Sequence, residues 1–91
     1  MSGYSLRVSP SAGRALSRLP EFAATAIIEF MTTALIENPY RVGKPLGLEL
    51  ADFHVARRGA YRIVYWIGEI DGERVVIVER IDHRADVYRP R

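Results

Sequence analysis

The chain contains no cysteine, which excludes disulfide scaffolds, thiol catalysis and thiolate metal sites. Its two histidines, His54 and His83, stand far apart in sequence, a poor arrangement for a structural metal site. No apolar run approaches the roughly 20 residues a membrane-spanning helix needs. The opening stretch "MSGYSLRVSPS" has no apolar core of the signal-peptide kind, so the expected location is the cytoplasm. Lysine is nearly absent too: of thirteen basic residues, all but Lys44 are arginine.

What is present describes one ordinary globular domain over residues 1–91, because so short a chain cannot divide its core. Hydrophobic residues make up 48% and charged residues 26%, a balance that folds rather than staying disordered. The net charge of +2 is small, but residues 1–39 are balanced and the basic excess lies in residues 40–91. Arginine's planar fork of donors suits phosphate and stacks on bases, although coding bias alone also enriches arginine.

"YSLRVS" (4–9) alternates as a strand does. Ser9 and Pro10 then open a short helix over 10–19, as N-cap and first helical residue. A second helix, 20–37, carries Ala23, Ile27, Phe30, Met31, Ala34 and Leu35 on one stripe, with Glu21, Thr25, Glu29 and Thr33 opposite. Ile28 and Ile36 flank that stripe and are the candidate apolar anchors for a partner. "YRVGKPLGLEL" (40–50) reads as a loop punctuated by Gly43, Pro45 and Gly47. Three strand-like runs follow, 50–58, 60–67 and 73–81, joined by a reversal at Gly59 and an Asp-Gly turn. The expected fold is α+β, in the order β-α-α-β-β-β, with both helices on one face of a mainly antiparallel sheet.

Alternation along "AYRIVYWI" sets Tyr61, Ile63, Tyr65 and Ile67 against the helices and turns Arg62, Val64 and Trp66 outward. On the strand before it, Phe53, Val55 and Arg57 share one face and His54, Ala56 and Arg58 the other. The run "RVVIVERIDH" is apolar on both faces, so its parity stays open; a bulge near Arg80 would reset it. Arg57 or Arg58, Arg62, Arg80 and the His83–Arg84 pair come from adjacent strand ends and are expected to converge on the open face. Taken singly, Arg74 and Arg80 read as solvated, His83 as a turn residue and Tyr88 as packing.

Three stretches together resemble the RelE/ParE superfamily of type II toxin–antitoxin toxins, and its RelE branch more closely. They are "NPYRVGKPLGLEL", "ARRGAYRIVYWI" and "VERIDHRADVY". The resemblance covers nearly the whole chain. It implies an endoribonuclease that cuts messenger RNA in the ribosomal A site and is silenced by a RelB-like, acidic, partly disordered antitoxin. The implied chemistry uses neither metal nor cofactor: the ribose 2′-hydroxyl attacks the adjacent phosphate. That reaction needs a base, cations around the phosphorane and an acid for the leaving oxygen.

Carried over by residue, Arg62 matches the strand arginine on the scissile phosphate, and Tyr88 the tyrosine that stacks on or orients the nucleotide. His83 and Arg84 fall where relatives place an arginine or a histidine; a histidine can give or take a proton near neutrality. Arg57 matches an arginine before the glycine turn. Arg58, His54, Lys44 and Arg80 complete the expected substrate contacts. Some relatives carry two lysines where this chain has His54 and Ala56, one acting as base, so His83 or His54 would have to replace it. The alternative is a ParE-like toxin that poisons DNA gyrase by protein–protein contact without catalysis.

Overall fold

The computed structural model of the protein describes residues 3–47 and 52–83. Strand β1 spans Ser5–Val8, helix α1 Pro10–Arg18 and helix α2 Glu21–Phe30; strands β2 (Lys44–Pro45), β3 (Phe53–Arg58), β4 (Tyr61–Ile70) and β5 (Glu73–His83) follow. They form one five-stranded sheet in the order β1-β5-β4-β3-β2. Neighbours run antiparallel except β1, which joins β5 in parallel through Ser5–Val75 to Val8–Val78. Both helices are thereby wound onto one face of a mainly antiparallel sheet, as expected.

Local chemistry explains the boundaries. The Ser9 hydroxyl accepts from the Ala12 amide at 3.0 Å and donates to the Glu79 carbonyl at 2.8 Å, so one side chain caps α1 and ties it to β5. The β4–β5 reversal is Asp71-Gly72, both at positive φ (54° and 81°), as a type I′ turn requires. At the β3–β4 reversal Gly59 takes φ 60°, the first position of a two-residue turn, where only glycine is unstrained.

Two features depart from the sequence reading. The expected second helix continues beyond Phe30 as a wider π-helical turn, Met31–Leu35. There the Thr32 and Thr33 hydroxyls donate back to the carbonyls of Ile28 (2.9 Å) and Glu29 (2.6 Å), the local side-chain bonding that often accompanies a distorted helical turn. Part of the expected 40–50 loop is also strand, for Lys44–Pro45 pairs with Val55 and His54 at the sheet's edge. Proline is tolerated there because an edge strand has one side without ladder bonds.

The core lies between α1, α2 and the sheet. Ala23, Ile27, Phe30, Met31 and Leu35 are buried from the helical stripe, and Ile63, Tyr65, Ile67, Val76, Val78 and Ile81 from the sheet. Tyr65 is fully buried, and its hydroxyl donates to the Pro39 carbonyl at 2.7 Å. Loss of hydration pushes its phenol up to about 12. No described helix is long and apolar enough to cross a membrane.

Candidate nucleic-acid interface

Register places the polar residues. β3 and β4 pair Phe53 with Trp66, Val55 with Val64 and Arg57 with Arg62; β4 and β5 pair Arg62 with Asp82 and Val64 with Arg80. Between Val64 and Tyr65 the ladder shifts, leaving Glu79 as an extra residue beside Arg80, where the sequence allowed a bulge. The helix-free face therefore carries three rows. One runs Lys44, Val55, Val64, Arg80; the next runs Arg57, Arg62, Asp82; a third holds Phe53, Trp66 and Ile77.

This open face gathers four cations around an apolar floor of Val55 and Val64, with Phe53 and Trp66 along one side. Arg62 is half-buried in the middle of the sheet, whereas Arg57, Arg80 and Lys44 are exposed. Like charges directly opposite on a ladder destabilise it by a few tenths of a kcal/mol, so Arg57 facing Arg62 is an arrangement that favours an anion between them. Asp82 offsets part of the charge: its carboxylate meets the Arg80 guanidinium at 2.9 Å, which also holds that fork in place. Aromatic faces beside arginine forks match the bases and phosphates of a single strand.

Other expected members lie elsewhere. His54 is on the helix side and only 5% exposed, its ring edge-on to Tyr40 (5.5 Å) and stacked with Tyr65 (5.7 Å). Its Nδ1 is buried with no hydrogen-bond partner among the described residues. His54, expected as a substrate contact or as a replacement base, is thus a core ring held between two tyrosines on the sheet face opposite Arg62. Arg58 also points to the helix side. Its guanidinium carbon is 3.8 Å from the centre of the Phe30 ring and its Nη1 donates to the Arg57 carbonyl at 2.7 Å. Of the pair Arg57 or Arg58, only Arg57 joins the open face.

His83 pairs with Tyr61, their rings edge to face at 5.2 Å, which sets it on the helix side at the exposed tip of β5. It borders a cleft of about 440 Å³ with Ser11, Arg14, Arg18 and Tyr61, not the row of Arg62. The expected convergence of His83 with Arg62 on one face fails because alternation along β5 gives Asp82 to that face. Arg84 and Tyr88 lie outside the described residues. Arg74, read as solvated, has its guanidinium 4.8 Å above the Tyr4 ring. The sequence reading missed Asp82 as the partner of Arg80; its parity became readable only once the bulge was located.

The domain is thus α+β, with both helices on one sheet face and an arginine-rich opposite face. Comparison with known proteins places it in a family. A family model described as the ParE toxin of the type II toxin–antitoxin system parDE matches residues 6–88. Toxin RelG of Mycobacterium tuberculosis is 45% identical over 94% of this chain and 97% of its own length. Toxin RelE of the same organism is 44% identical over 94% and 87%. The M. tuberculosis RelBE2 toxin–antitoxin complex contains a chain that superposes with a TM-score of 0.80 at 43% identity, covering 90% of this chain and 99% of that one. Free Escherichia coli RelE, 23% identical, shares the fold with a TM-score of 0.72 over 93% and 90%. The chain belongs to the ParE toxin family and is a type II toxin–antitoxin toxin of the RelE kind.

Proposed function

We propose that the protein is an endoribonuclease that cleaves messenger RNA in the ribosomal A site, in the cytoplasm, and that its open sheet face holds the scissile phosphate. The observation that carries this reading is the pairing of Arg57 with Arg62, with Arg80 in the adjoining row. The 2′-oxygen attacks the neighbouring phosphorus and gives up its proton; the bond from phosphorus to the 5′-oxygen breaks and that oxygen takes a proton. The products are a 2′,3′-cyclic phosphate and a 5′-hydroxyl, with no water consumed. Extra negative charge develops on the phosphorane oxygens, where the Arg62 and Arg57 forks stabilise it more than the ground state. Arg80, oriented by Asp82, and Lys44 hold flanking phosphates, and Trp66 offers a stacking face.

Arg84 neutralising phosphate and Tyr88 stacking on a base are retained as roles implied by the family likeness. His83 is separated from Arg62 by the β5 backbone, and we assign it to gripping the RNA at the strand tip rather than to proton transfer on the open face.

The relatives' RelBE complexes pair such a toxin with an antitoxin. For this chain we propose a RelB-like partner whose acidic residues meet the arginine-rich face while apolar residues grip the helices. A gyrase poison remains the competing reading, favoured by the parDE description of the matching family model. Ribosomes programmed with messenger RNA and incubated with the protein decide between them: cleavage that Arg62→Ala removes supports the nuclease, and intact RNA refutes it.

A further inference from the structure

The cleft between α1 and the ends of β4 and β5 has a chemistry that the open face does not account for. Helix α1, "PSAGRALSR", has no acidic residue. Ser11, Arg14, Ser17 and Arg18 are exposed on it, and Ser11, Arg14 and Arg18 line the cleft with Tyr61 and His83. Arg14 and Arg18 stand four apart, so their like charges repel along the helix. Neither guanidinium has an ion-pair partner among the described residues. The helix tolerates two adjoining cations with nothing in the described structure to neutralise them. Among the described residues, the carboxylate at the rim is Asp82, which is engaged with Arg80.

Position connects this cleft to the open face. β1 covers β5 only as far as Val78, so beyond Glu79 that side of β5 has no strand beside it among the described residues. On one side of this bare edge lie Arg62 and Arg80; on the other lie Arg14, Arg18 and His83. A chain of phosphates leaving the open face meets the α1 arginines after crossing a single strand.

We propose that the α1 cleft is a second phosphate-binding site, which takes the backbone of single-stranded RNA beyond the scissile phosphate. The inference rests on the reading that the open face handles RNA, and it adds the direction in which the strand leaves. An acidic peptide fits less well. The cleft's apolar linings, Ala15, Leu19 and Ile81, are half-buried or buried and offer no anchor. The apolar groove of about 310 Å³ on α2, lined by Phe22, Ala26 and Ile27, is the surface suited to a peptide.

The test uses a single-stranded RNA of about 12 nucleotides with every ribose 2′-O-methylated, so that it binds without being cut. Affinity is followed against salt for the full-length protein and for Arg14→Ser/Arg18→Ser, with circular dichroism confirming that both are folded. Each phosphate contact contributes about 0.7 to the slope of log affinity against log salt for single strands. The double variant should bind at least about tenfold more weakly, with the slope reduced by about 1.4 for two lost contacts. Arg14→Lys/Arg18→Lys should restore most of that slope, because charge rather than fork geometry sets it. An unchanged slope and affinity overturn the proposal, as does a variant that keeps RNA but loses a poly-glutamate peptide. Because the probe has no free 2′-hydroxyl, the expected slope change in a protein that never cuts RNA would sink the nuclease reading and leave this site standing.

Discussion

Arg57 lies directly across the β3–β4 ladder from Arg62, two guanidinium-bearing residues side by side on the face that no helix covers. Their like charges cost a little on the ladder, partly offset by Asp82 across from Arg62, and an anion between the two forks would offset more. The pair therefore yields a prediction with two signs. Arg62→Ala should lower single-turnover cleavage by about a hundred- to a thousandfold, the loss typical of removing one donor to developing charge. Arg57→Ala should slow cleavage as well, while its melting temperature holds or rises slightly because the repulsion is relieved. A fall in stability matching the fall in activity would mean that these arginines build the sheet rather than the site.

His83→Ala separates the two places a histidine can act. On the helix side of β5, beside Tyr61, it should raise KM and leave kcat within a few-fold. A loss of about a hundred- to ten-thousandfold in kcat would instead make it the general acid or base.

Tyr65 predicts an alkaline limit to stability. Its buried phenol is raised to about 12, whereas in the unfolded chain it ionises near 10. The unfolded state thus releases this proton first, and stability present below about pH 10 is lost as pH rises towards about 12. Tyr65→Phe should lose roughly 1 kcal/mol at neutral pH, through the bond to the Pro39 carbonyl. Denaturant midpoints measured across the alkaline range should then decline less steeply in the variant than in the parent. Parallel declines would show that other groups set the limit.

The antitoxin surface is predicted from exposure. Phe22 is 79% exposed and Ile28 45%, both on α2, whereas Ile36 is half-buried. Phe22→Ser should weaken antitoxin binding by about 2 kcal/mol, Ile28→Ser by less, and neither should shift the melting temperature. Titration calorimetry against the cognate antitoxin checks this; unchanged affinity in the double variant would place the partner elsewhere.

Much of this was legible in the residues, for reasons that particular positions make plain. The stripe from Ala23 to Leu35 and the alternation of Ile63, Tyr65 and Ile67 each bury one face, so periodicity revealed both the helix packing and the outward turn of Arg62. Gly59 and Asp71-Gly72 carried the hairpins because their φ angles leave little choice of residue. The site was less legible. β5 is apolar on both faces, so nothing in its pattern said that Glu79 is the extra residue. Without that offset it stayed open which of His83 and Asp82 shares the face of Arg62. His54 is a candidate base in the sequence because it stands where some relatives carry a lysine, and its place in the core comes from the tertiary packing of the Tyr40 and Tyr65 rings around it. The Lys44–Pro45 strand escaped because its pairing with β3 is tertiary, and glycine and proline around it signal a loop.

The most direct test of the central claim is the chemistry of the cut ends. Programmed ribosomes are incubated with the protein or with Arg62→Ala, and the RNA termini are mapped. New 5′-hydroxyl ends facing 2′,3′-cyclic phosphates should appear within the A-site codon, and be lost in the variant and in messages whose A-site ribose is 2′-O-methylated. Uncut RNA from the folded protein, together with trapped gyrase–DNA cleavage complexes, would contradict it and make the protein a gyrase poison.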